Sequence, residues 1–281
     1  MKTSKNNLLF ILPTLALSKI TGFLARIYIP KFIRPLVYKI FSKKYGVDLE
    51  EIEYPLESYR NLLSFFIRTL KKEKRPIDPH PYSLVSPVDG EIIALGPVSE
   101  APHLEIKGAR FTVPELFGEI FPYKIKNPYF ITIYLCPGDY HRIHAPISGM
   151  VTKWWFIKGR LLPVNKPTIT RFEKVFVGNK RIISLWENMD LGISIYMVAV
   201  GALNVGAIKT LWDKEKKAEK HPGKLIQNDT PRLFQKGEEA ARFELGSTIV
   251  LIFENMAFDR SIKQGVKVKV GQKLGLFSVP K

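Results

Sequence analysis

Short runs of β-branched and aromatic residues recur through most of the chain, separated by glycine and proline. These runs are Tyr129 to Leu135, Arg181 to Trp186, Ile193 to Val200, Ile249 to Phe253 and Val266 to Val270. Runs of this composition and length predict β-strands, and the turn-forming residues between them predict short connections. The greater part of the chain is therefore predicted to be β-rich.

A different pattern precedes these strands. Apolar and polar residues from Ser58 to Leu70 recur at helical spacing and predict an amphipathic helix. The polar stretch KKEKRPIDPHPY that follows contains three prolines, which is typical of a linker. We therefore place a boundary near residue 71, with a helical region at 1–70 and a β-rich domain at 71–281. The predicted fold class is α+β.

Two predicted turns share one pattern. The segments SPVDGEI at 86–92 and APISGMV at 145–151 both read small residue, proline, apolar, polar, glycine, any residue, apolar. A repeated strand–turn unit predicts a body of duplicated half-barrels, as in the barrel-sandwich fold of lipoyl and biotinyl carrier domains. A carrier function would need a lysine at an exposed hairpin tip, and neither turn has one.

Basic residues are concentrated at the N-terminus. The net charge is +17, and residues 1–47 contain nine lysines and arginines but no acid. These cations alternate with Leu, Ile, Phe and Tyr, as in helices that lie in a lipid interface. The apolar run Leu8 to Leu17 contains Pro13 and has about half of the roughly 20 residues that a membrane-spanning helix needs. We therefore expect residues 1–70 to bind an anionic membrane surface through amphipathic helices.

Three further roles for the basic N-terminal segment differ in their support. A cleaved signal peptide is disfavoured because the basic pattern continues past a cleavage site near Ala16. A nucleic-acid-binding arm is disfavoured because such arms are seldom so rich in Leu, Ile and Phe. A helical cap packed on the domain stays open.

Composition excludes several protein classes. Hydrophobic residues make up 46% of the chain, which is enough for a buried core. Cys136 is the single cysteine, so an internal disulfide is excluded. The sequence has no Walker or Rossmann glycine pattern and no CxxC pair, which leaves little support for a nucleotide or zinc site.

Three segments carry residues suited to catalysis: Asp89 in SPVDG, His141 and His144 in DYHRIHAP, and Ser247 in LGST. Each segment alone is more typical of a turn, a polar loop or a bend. Together they supply the carboxylate, imidazole and hydroxyl of an activated serine. Ser247 lacks the Gly-x-Ser-x-Gly elbow of common hydrolases. A Ser-His-Asp hydrolase and a non-catalytic lipid-binding protein remain alternatives.

The same segments resemble the signatures of the phosphatidylserine decarboxylases. LGST at 245–248 is similar to the self-cleavage site of that family, about 35 residues before the C-terminus. YHRIHAP at 140–146 and SPVDG at 86–90 are similar to its two other signatures. The resemblance extends over essentially the whole chain, with KRPID at 74–78 and ALNVGAI at 202–208 among the shared segments.

The resemblance implies that the chain cuts itself between Gly246 and Ser247. Ser247 would attack the Gly246 carbonyl, with His144 as general base and Asp89 orienting the imidazole. The products would be a longer β chain, 1–246, and a short α chain, 247–281, whose first residue becomes a pyruvoyl group.

The resemblance also implies the reaction of the mature enzyme. The pyruvoyl group derived from Ser247 would form a Schiff base with phosphatidylserine and yield phosphatidylethanolamine, with His141 as the expected proton donor. No PLP and no metal would be needed. A pyruvoyl decarboxylase of another amino-containing substrate is the nearest alternative.

The implied partners are phosphatidylserine, an anionic membrane surface and the second product of the self-cleavage, with no nucleic acid. Whether the resulting heterodimer pairs further is open. The expected location is peripheral, on the cytoplasmic face of the cell membrane. The charge run Lys214 to Lys220 predicts a solvated loop or short helix, which would be suited to the rim of a headgroup site.

Overall fold

The fold is that of a computed structural model, which describes residues 20–98, 103–106, 109–120, 125–162, 175–202, 208–228, 230–244 and 247–278. Its helices are α1 (20–24), α2 (Arg34–Tyr45), α3 (Leu62–Phe66), α4 (Val113–Phe117), α5 (Val175–Gly178) and α6 (Lys217–Lys220). Short 3-10 turns occupy Leu56–Ser58 and Lys72–Lys74. The run Leu8 to Leu17 lies outside the described residues.

Strands outnumber helices in the described part of the chain. They are β1 (Ser83–Val85), β2 (Gly90–Pro97), β3 (His103–Ile106), β4 (Ala109–Thr112), β5 (Tyr129–Leu135), β6 (Arg142–His144), β7 (Gly149–Ile157), β8 (Arg181–Asn188), β9 (Ile193–Gly201), β10 (Ile208–Thr210), β11 (Ile226–Gln227), β12 (Leu233–Phe234), β13 (Glu239–Phe243), β14 (Ser247–Phe253), β15 (Met256–Phe258), β16 (Lys267–Val268) and β17 (Lys273–Phe277). This β-rich fold with few helices confirms the α+β class.

One large antiparallel sheet contains most of these strands. Its order is β11-β7-β8-β9-β14-β5-β2-β16, and β12 also pairs with β7. The strands β1-β17-β15 and β10-β13-β6 form two three-stranded sheets, and β3-β4 form a hairpin. Among the described strands, no sheet closes into a barrel.

Strand β14 lies at the centre of the large sheet. It pairs with β5 on one side and with β9 on the other along its whole length, from Ser247 to Phe253. The residues Ile249 to Phe253 are completely buried, so both faces of the strand are covered. Burial on two faces rather than one therefore accounts for the continuous apolar run.

The two similar turns lie side by side. The Val85 N–H donates to the Pro146 carbonyl at 3.1 Å, and the His144 N–H donates to the Pro87 carbonyl at 2.8 Å. In the repeated pattern, positions 85 and 87 correspond to positions 144 and 146. The two hydrogen bonds are therefore equivalent, and each turn pairs with the other in the same way.

Each of the two turns also accepts a backbone hydrogen bond from a loop that lies later in the chain. The Gly271 N–H donates to the Ser86 carbonyl at 3.0 Å, and the Gly237 N–H donates to the Ala145 carbonyl at 2.9 Å. Both glycines have positive φ values, +84° and +81°, which a side chain would strain. Strands β16 and β12, just before these loops, pair with β2 and β7 at equivalent positions.

The helical region has a small apolar cluster of its own, formed by Tyr38, Val47, Ile52, Tyr59 and Phe65. Helix α2 ends at Gly46, which has a φ of +73° and donates its N–H to the Ser42 carbonyl at 2.8 Å. Within the described residues, no helix is both long and apolar enough to cross a bilayer.

The helix predicted from Ser58 to Leu70 is wrong in length, because α3 covers only Leu62–Phe66. Residues on both sides pair with distant segments instead: the Ile29 N–H donates to the Arg60 carbonyl, and Ile52 forms a bridge with Leu70. These contacts replace the helical hydrogen bonds that the spacing predicted.

Candidate active site

The predicted cleavage site lies where the chain enters the large sheet. Ser247 is the first residue of β14, opposite Leu135 of β5 and Gly201 of β9. Gly246 and the side chain of Ser247 lie outside the described part of the structure. The backbone register nevertheless fixes the position of residue 247 at the first position of the central strand.

The strand before the cleavage site places His141 close to it. The Phe243 N–H donates to the His141 carbonyl at 3.0 Å, and β5 continues from Leu135 into the loop that carries His141. The short connection from Phe243 to Ser247 therefore begins beside His141 and ends beside Leu135. The topology brings His141 and Ser247 to the same region.

His141 is completely buried. Its Nδ1 contacts the Asp139 carbonyl at 2.8 Å, so Nδ1 carries the proton. Its Nε2 is buried and has no hydrogen-bond partner among the described residues. Burial, together with the positive charge of Arg68, lowers the pKa of His141 to about 3 despite the Asp139 carbonyl. His141 is thus a neutral imidazole with a free lone pair.

The helical region supports the loop that carries His141. The Phe66 ring lies 3.9 Å from the imidazole, measured between ring centroids. The buried Arg68 donates from Nη2 to the Gly138 carbonyl at 2.7 Å. A Cβ on Gly138 would lie 2.1 Å from the Tyr45 carbonyl oxygen, so glycine permits this close contact. The position of His141 therefore depends on residues of the helical region.

His144 has partners at both ring nitrogens. Nδ1 donates to the Gly237 carbonyl at 2.7 Å, and Nε2 accepts from the Tyr140 hydroxyl at 3.1 Å. Burial lowers the pKa of His144, while the Gly237 carbonyl and the charges of Glu239 and Asp89 act in the opposite direction. The Gly237 carbonyl therefore fixes the tautomer that leaves Nε2 as the acceptor.

Asp89 has other hydrogen-bond partners than His144. Its carboxylate accepts from Arg75 Nε at 2.9 Å and from the Val270 N–H at 2.8 Å. In the second turn, Ser148 Oγ accepts from the Lys236 N–H at 3.1 Å, which is the equivalent bond. Asp89 thus joins its turn to the loop that contains Val270. Among the hydrogen bonds of the described residues, none links Asp89 to His144.

Arg75 and Glu51 extend this network. Arg75 also donates to Glu51 at 2.7 Å, and Lys269 lies 2.8 Å from the same carboxylate. Burial alone would raise the pKa of Glu51, but these two cations lower it to about 2. The network connects the helical region to the turn that carries Asp89.

Sequence reasoning missed Glu244, which lies two residues before Gly246. It is buried, and its carboxylate forms ion pairs with Arg26 at 2.8 Å and with Lys209 at 2.7 Å. The pattern of residues around Glu244 gave no signal of these partners, because Arg26 comes from a distant helical segment. The ion pairs hold the chain just before the cleavage site.

The described residues contain no group of three or more His, Cys, Asp or Glu side chains placed to hold a metal ion.

Comparison with known proteins gives the following findings. A family profile described as phosphatidylserine decarboxylase matches residues 62–276. Three relatives carry the name phosphatidylserine decarboxylase proenzyme. The chain is 34% identical to that of Myxococcus xanthus over 277 residues, 96% of this chain and 97% of the relative. It is 38% identical to one from Helicobacter pylori, with 93% and 97% covered, and 37% identical to that of Brevibacillus brevis, with 94% of each covered.

Proposed function

The chain belongs to the phosphatidylserine decarboxylase family, and on that premise we propose that it converts phosphatidylserine to phosphatidylethanolamine after cutting itself. The observation that carries the proposal is the match over nearly the full length of relatives that are named proenzymes. The geometric support is the buried His141, whose carbonyl accepts from the N–H of Phe243, four residues before Ser247.

We propose that Ser247 is the nucleophile of the self-cleavage. Its hydroxyl oxygen bonds to the Gly246 carbonyl carbon as the amide bond breaks, and the hydroxyl proton passes to the departing nitrogen. The ester then loses the Ser247 α-proton and the Gly246 carboxylate. Water replaces the nitrogen, which leaves as ammonia, and residue 247 becomes the pyruvoyl group.

His144 serves as the general base of this cleavage in our proposal. The Gly237 carbonyl already holds the required tautomer, which is the role that the family resemblance implies for Asp89. Asp89 acts at longer range, since its negative charge favours the protonated imidazole. The Tyr140 hydroxyl occupies Nε2, so it has to move aside or pass on the serine proton.

The surroundings of residue 247 fit a pyruvoyl group. The described part of the site holds a buried nitrogen without a partner, Nε2 of His141, which a reacting group at 247 would be placed to use. The pyruvoyl group supplies the electron sink for the pair released as carbon dioxide leaves. Neither PLP nor a metal is part of the proposal.

His141 moves the proton of the decarboxylation. As a neutral base, it takes a proton from the substrate ammonium group, which has to be neutral to react. After carbon dioxide has left, the same imidazole returns that proton to the α-carbon. The amine released by hydrolysis of the Schiff base then takes one proton from the solvent to become an ammonium group, so each turnover consumes one proton overall.

The two products of the cleavage remain associated in this proposal. Strand β14 begins the shorter product, 247–281, and pairs on both sides with strands of the longer one, 1–246. Separating them would expose a completely buried strand from Ile249 to Phe253. The mature enzyme is thus a heterodimer of its own fragments.

We also propose that the domain at 71–281 consists of two half-barrels of the barrel-sandwich type. The equivalent hydrogen bonds of the turns at 86–90 and 145–149 support a duplication. Residues 1–70 form the helical region. Its contacts with the loop at Gly138 mean that it also supports the active site.

The helical region is proposed to bind the cytoplasmic face of the cell membrane. The buried residues of α2 are Arg34, Tyr38 and Ser42, all of which carry polar groups. The apolar side chains of Leu36 and Ile40 are instead each 60% exposed. Further exposed apolar side chains lie close by in the sequence: Ile20, Phe23, Leu24, Ile27, Tyr28 and Phe32. Such an accumulation, flanked by lysines, is typical of an interfacial surface.

Replacing Phe32 and Leu36 by serine is expected to weaken binding to vesicles of phosphatidylglycerol and phosphatidylcholine at least tenfold. Each large apolar side chain that enters the interface contributes about 1.5–3 kcal/mol. Cosedimentation measures the effect. Met189→Ser, at an exposed apolar residue of the β-rich domain, is the matched control and should bind normally. Equal binding of the two variants to the vesicles would refute the proposed membrane-binding surface.

The substrate is tested with carboxyl-labelled compounds. Purified wild-type protein is expected to release labelled carbon dioxide from phosphatidylserine in mixed micelles, and to release none from free serine. Release from free serine and not from the lipid would instead establish the alternative, a pyruvoyl decarboxylase of another amino-containing substrate.

A further inference from the structure

Arg242 is a cation without a partner in the described structure. It lies in β13, four residues before Gly246, and its Nε is buried without a hydrogen-bond acceptor. Its guanidinium also forms no ion pair with any described residue. A partly buried guanidinium normally has a carboxylate or carbonyl partner, so its absence here points to a ligand.

The side chain of Arg242 lines a cavity of about 220 Å³. Strand β10, the loop after it and α6 form the cavity walls, with Lys209, Leu211 and Lys214 among the lining residues. The cavity is smaller than the roughly 300–1,000 Å³ of pockets for drug-sized ligands, which suits a headgroup rather than a whole lipid.

The strand register places Arg242 on the face of the sheet that carries His144. Arg242 lies opposite Lys209 of β10 and opposite Arg142 of β6. Directly opposed residues share a face, and so do Arg142 and His144, which are two positions apart on β6. Glu239, the residue opposite His144, also lines the cavity, so one wall of the cavity adjoins His144.

The acids of the cavity already have partners. Glu239 is paired with Arg142 at 2.5 Å, and Glu219 lies 3.9 Å from Lys216. Asp213 accepts the N–H groups of Lys217 and Ala218 at the start of α6. Lys209 is paired with Glu244 at the cavity wall. The charge in the cavity that has no partner is thus positive, and Arg242 is the most buried of the cations that carry it.

We propose that Arg242 binds the phosphodiester of the substrate headgroup in this cavity, an inference that rests on the proposed function. A guanidinium forms two parallel hydrogen bonds to phosphate oxygens, which gives both affinity and orientation. The binding would hold the serine end of the headgroup towards His144 and residue 247.

The test compares Arg242→Gln with Arg260→Gln, which removes the same charge at an exposed site. Self-cleavage is checked first by mass spectrometry. In mixed micelles, the KM of Arg242→Gln for phosphatidylserine should rise roughly 10- to 100-fold, since a hydrogen bond to a charged group is lost. Its kcat should change much less, and Arg242→Lys should lie between the wild type and Arg242→Gln.

Three soluble probes identify what the cavity recognises. Glycerophosphoethanolamine should inhibit the wild type and not Arg242→Gln, whereas ethanolamine, which has no phosphate, should inhibit neither. Inorganic phosphate should inhibit much less than glycerophosphoethanolamine. Stronger inhibition by inorganic phosphate would indicate a site for free phosphate and would overturn the headgroup assignment.

A second measurement does not depend on processing or activity. Calorimetry of glycerophosphoethanolamine binding to uncut Ser247→Ala, with and without Arg242→Gln, should show binding only when Arg242 is present. Equal binding to both chains, or an unchanged KM in Arg242→Gln, would refute the proposal. If binding depends on Arg242 but the wild-type protein has no decarboxylase activity, the proposed function is refuted and the phosphodiester site at Arg242 stands.

Discussion

Ser247→Ala is expected to leave the chain in one piece and without any decarboxylase activity. The substitution removes the hydroxyl oxygen that attacks Gly246, and with it the only source of the pyruvoyl group. Wild-type protein should give two fragments, 1–246 and 247–281. Their masses should add up to the mass of the intact chain plus one water and minus one ammonia, with the shorter fragment blocked at its N-terminus.

Loss of folding would give the same inactive protein, so the variant needs controls. A methyl side chain fits wherever a serine fits, so the circular dichroism of the variant should show the same β-rich spectrum as the cut wild-type protein. Ser247→Cys keeps a nucleophile and should still cut, more slowly. Ser261→Ala, at an exposed loop residue, should cut normally.

Two results would contradict this mechanism. An uncut wild-type chain that hydrolyses esters through Ser247 would identify a Ser-His-Asp hydrolase. A wild-type chain that is uncut and inert, and that binds lipid as well as Ser247→Ala does, would identify a lipid-binding protein.

Much of the fold follows from local patterns. The central strand β14 is predictable from Ile249 to Phe253, because five consecutive apolar residues are needed where both faces are covered. The turn at 86–90 and its counterpart at 145–149 are also recognisable, since proline and glycine mark the backbone geometry in each. These features depend on neighbours in sequence.

Features that depend on distant partners are not predictable in this way. The segment from Ser58 to Leu70 has helical spacing, but pairing with Ile29 and Ile52 shortens its helix. The sequence places Asp89 in a turn and cannot reveal that Arg75 and the Val270 N–H are its partners. A carboxylate in a catalytic-looking motif has many possible partners, and tertiary packing selects among them.

The same limit applies to the arginine of the cavity. Arg242 stands in an ordinary-looking strand, and only the register with Lys209 and Arg142 places three cations in a row. By contrast, His141 and His144 are recognisable as a pair by their spacing. Their hydrogen bonds, which differ at the Nε2 atoms, become visible only in the folded chain.

His141→Ala is expected to cut itself normally and to lose decarboxylation, with kcat lower by about 10² to 10⁴. His141 holds its Nδ1 proton on the Asp139 carbonyl and keeps Nε2 free for the substrate proton. His144→Ala should show the opposite behaviour and stay uncut, because it lacks the base for Ser247. His221→Ala, at an exposed histidine, should be normal in both assays.

The separation of the two steps is the critical result. If His141→Ala stays uncut while folded, the free lone pair of His141 is used in the cleavage itself, and the assignment of the base to His144 is wrong. If His144→Ala cuts at the normal rate, the Tyr140 hydroxyl bond at its Nε2 is purely structural. Cleavage by mass spectrometry and carbon dioxide release on the same samples distinguish these outcomes, because the first assay requires no substrate and the second requires a cut chain.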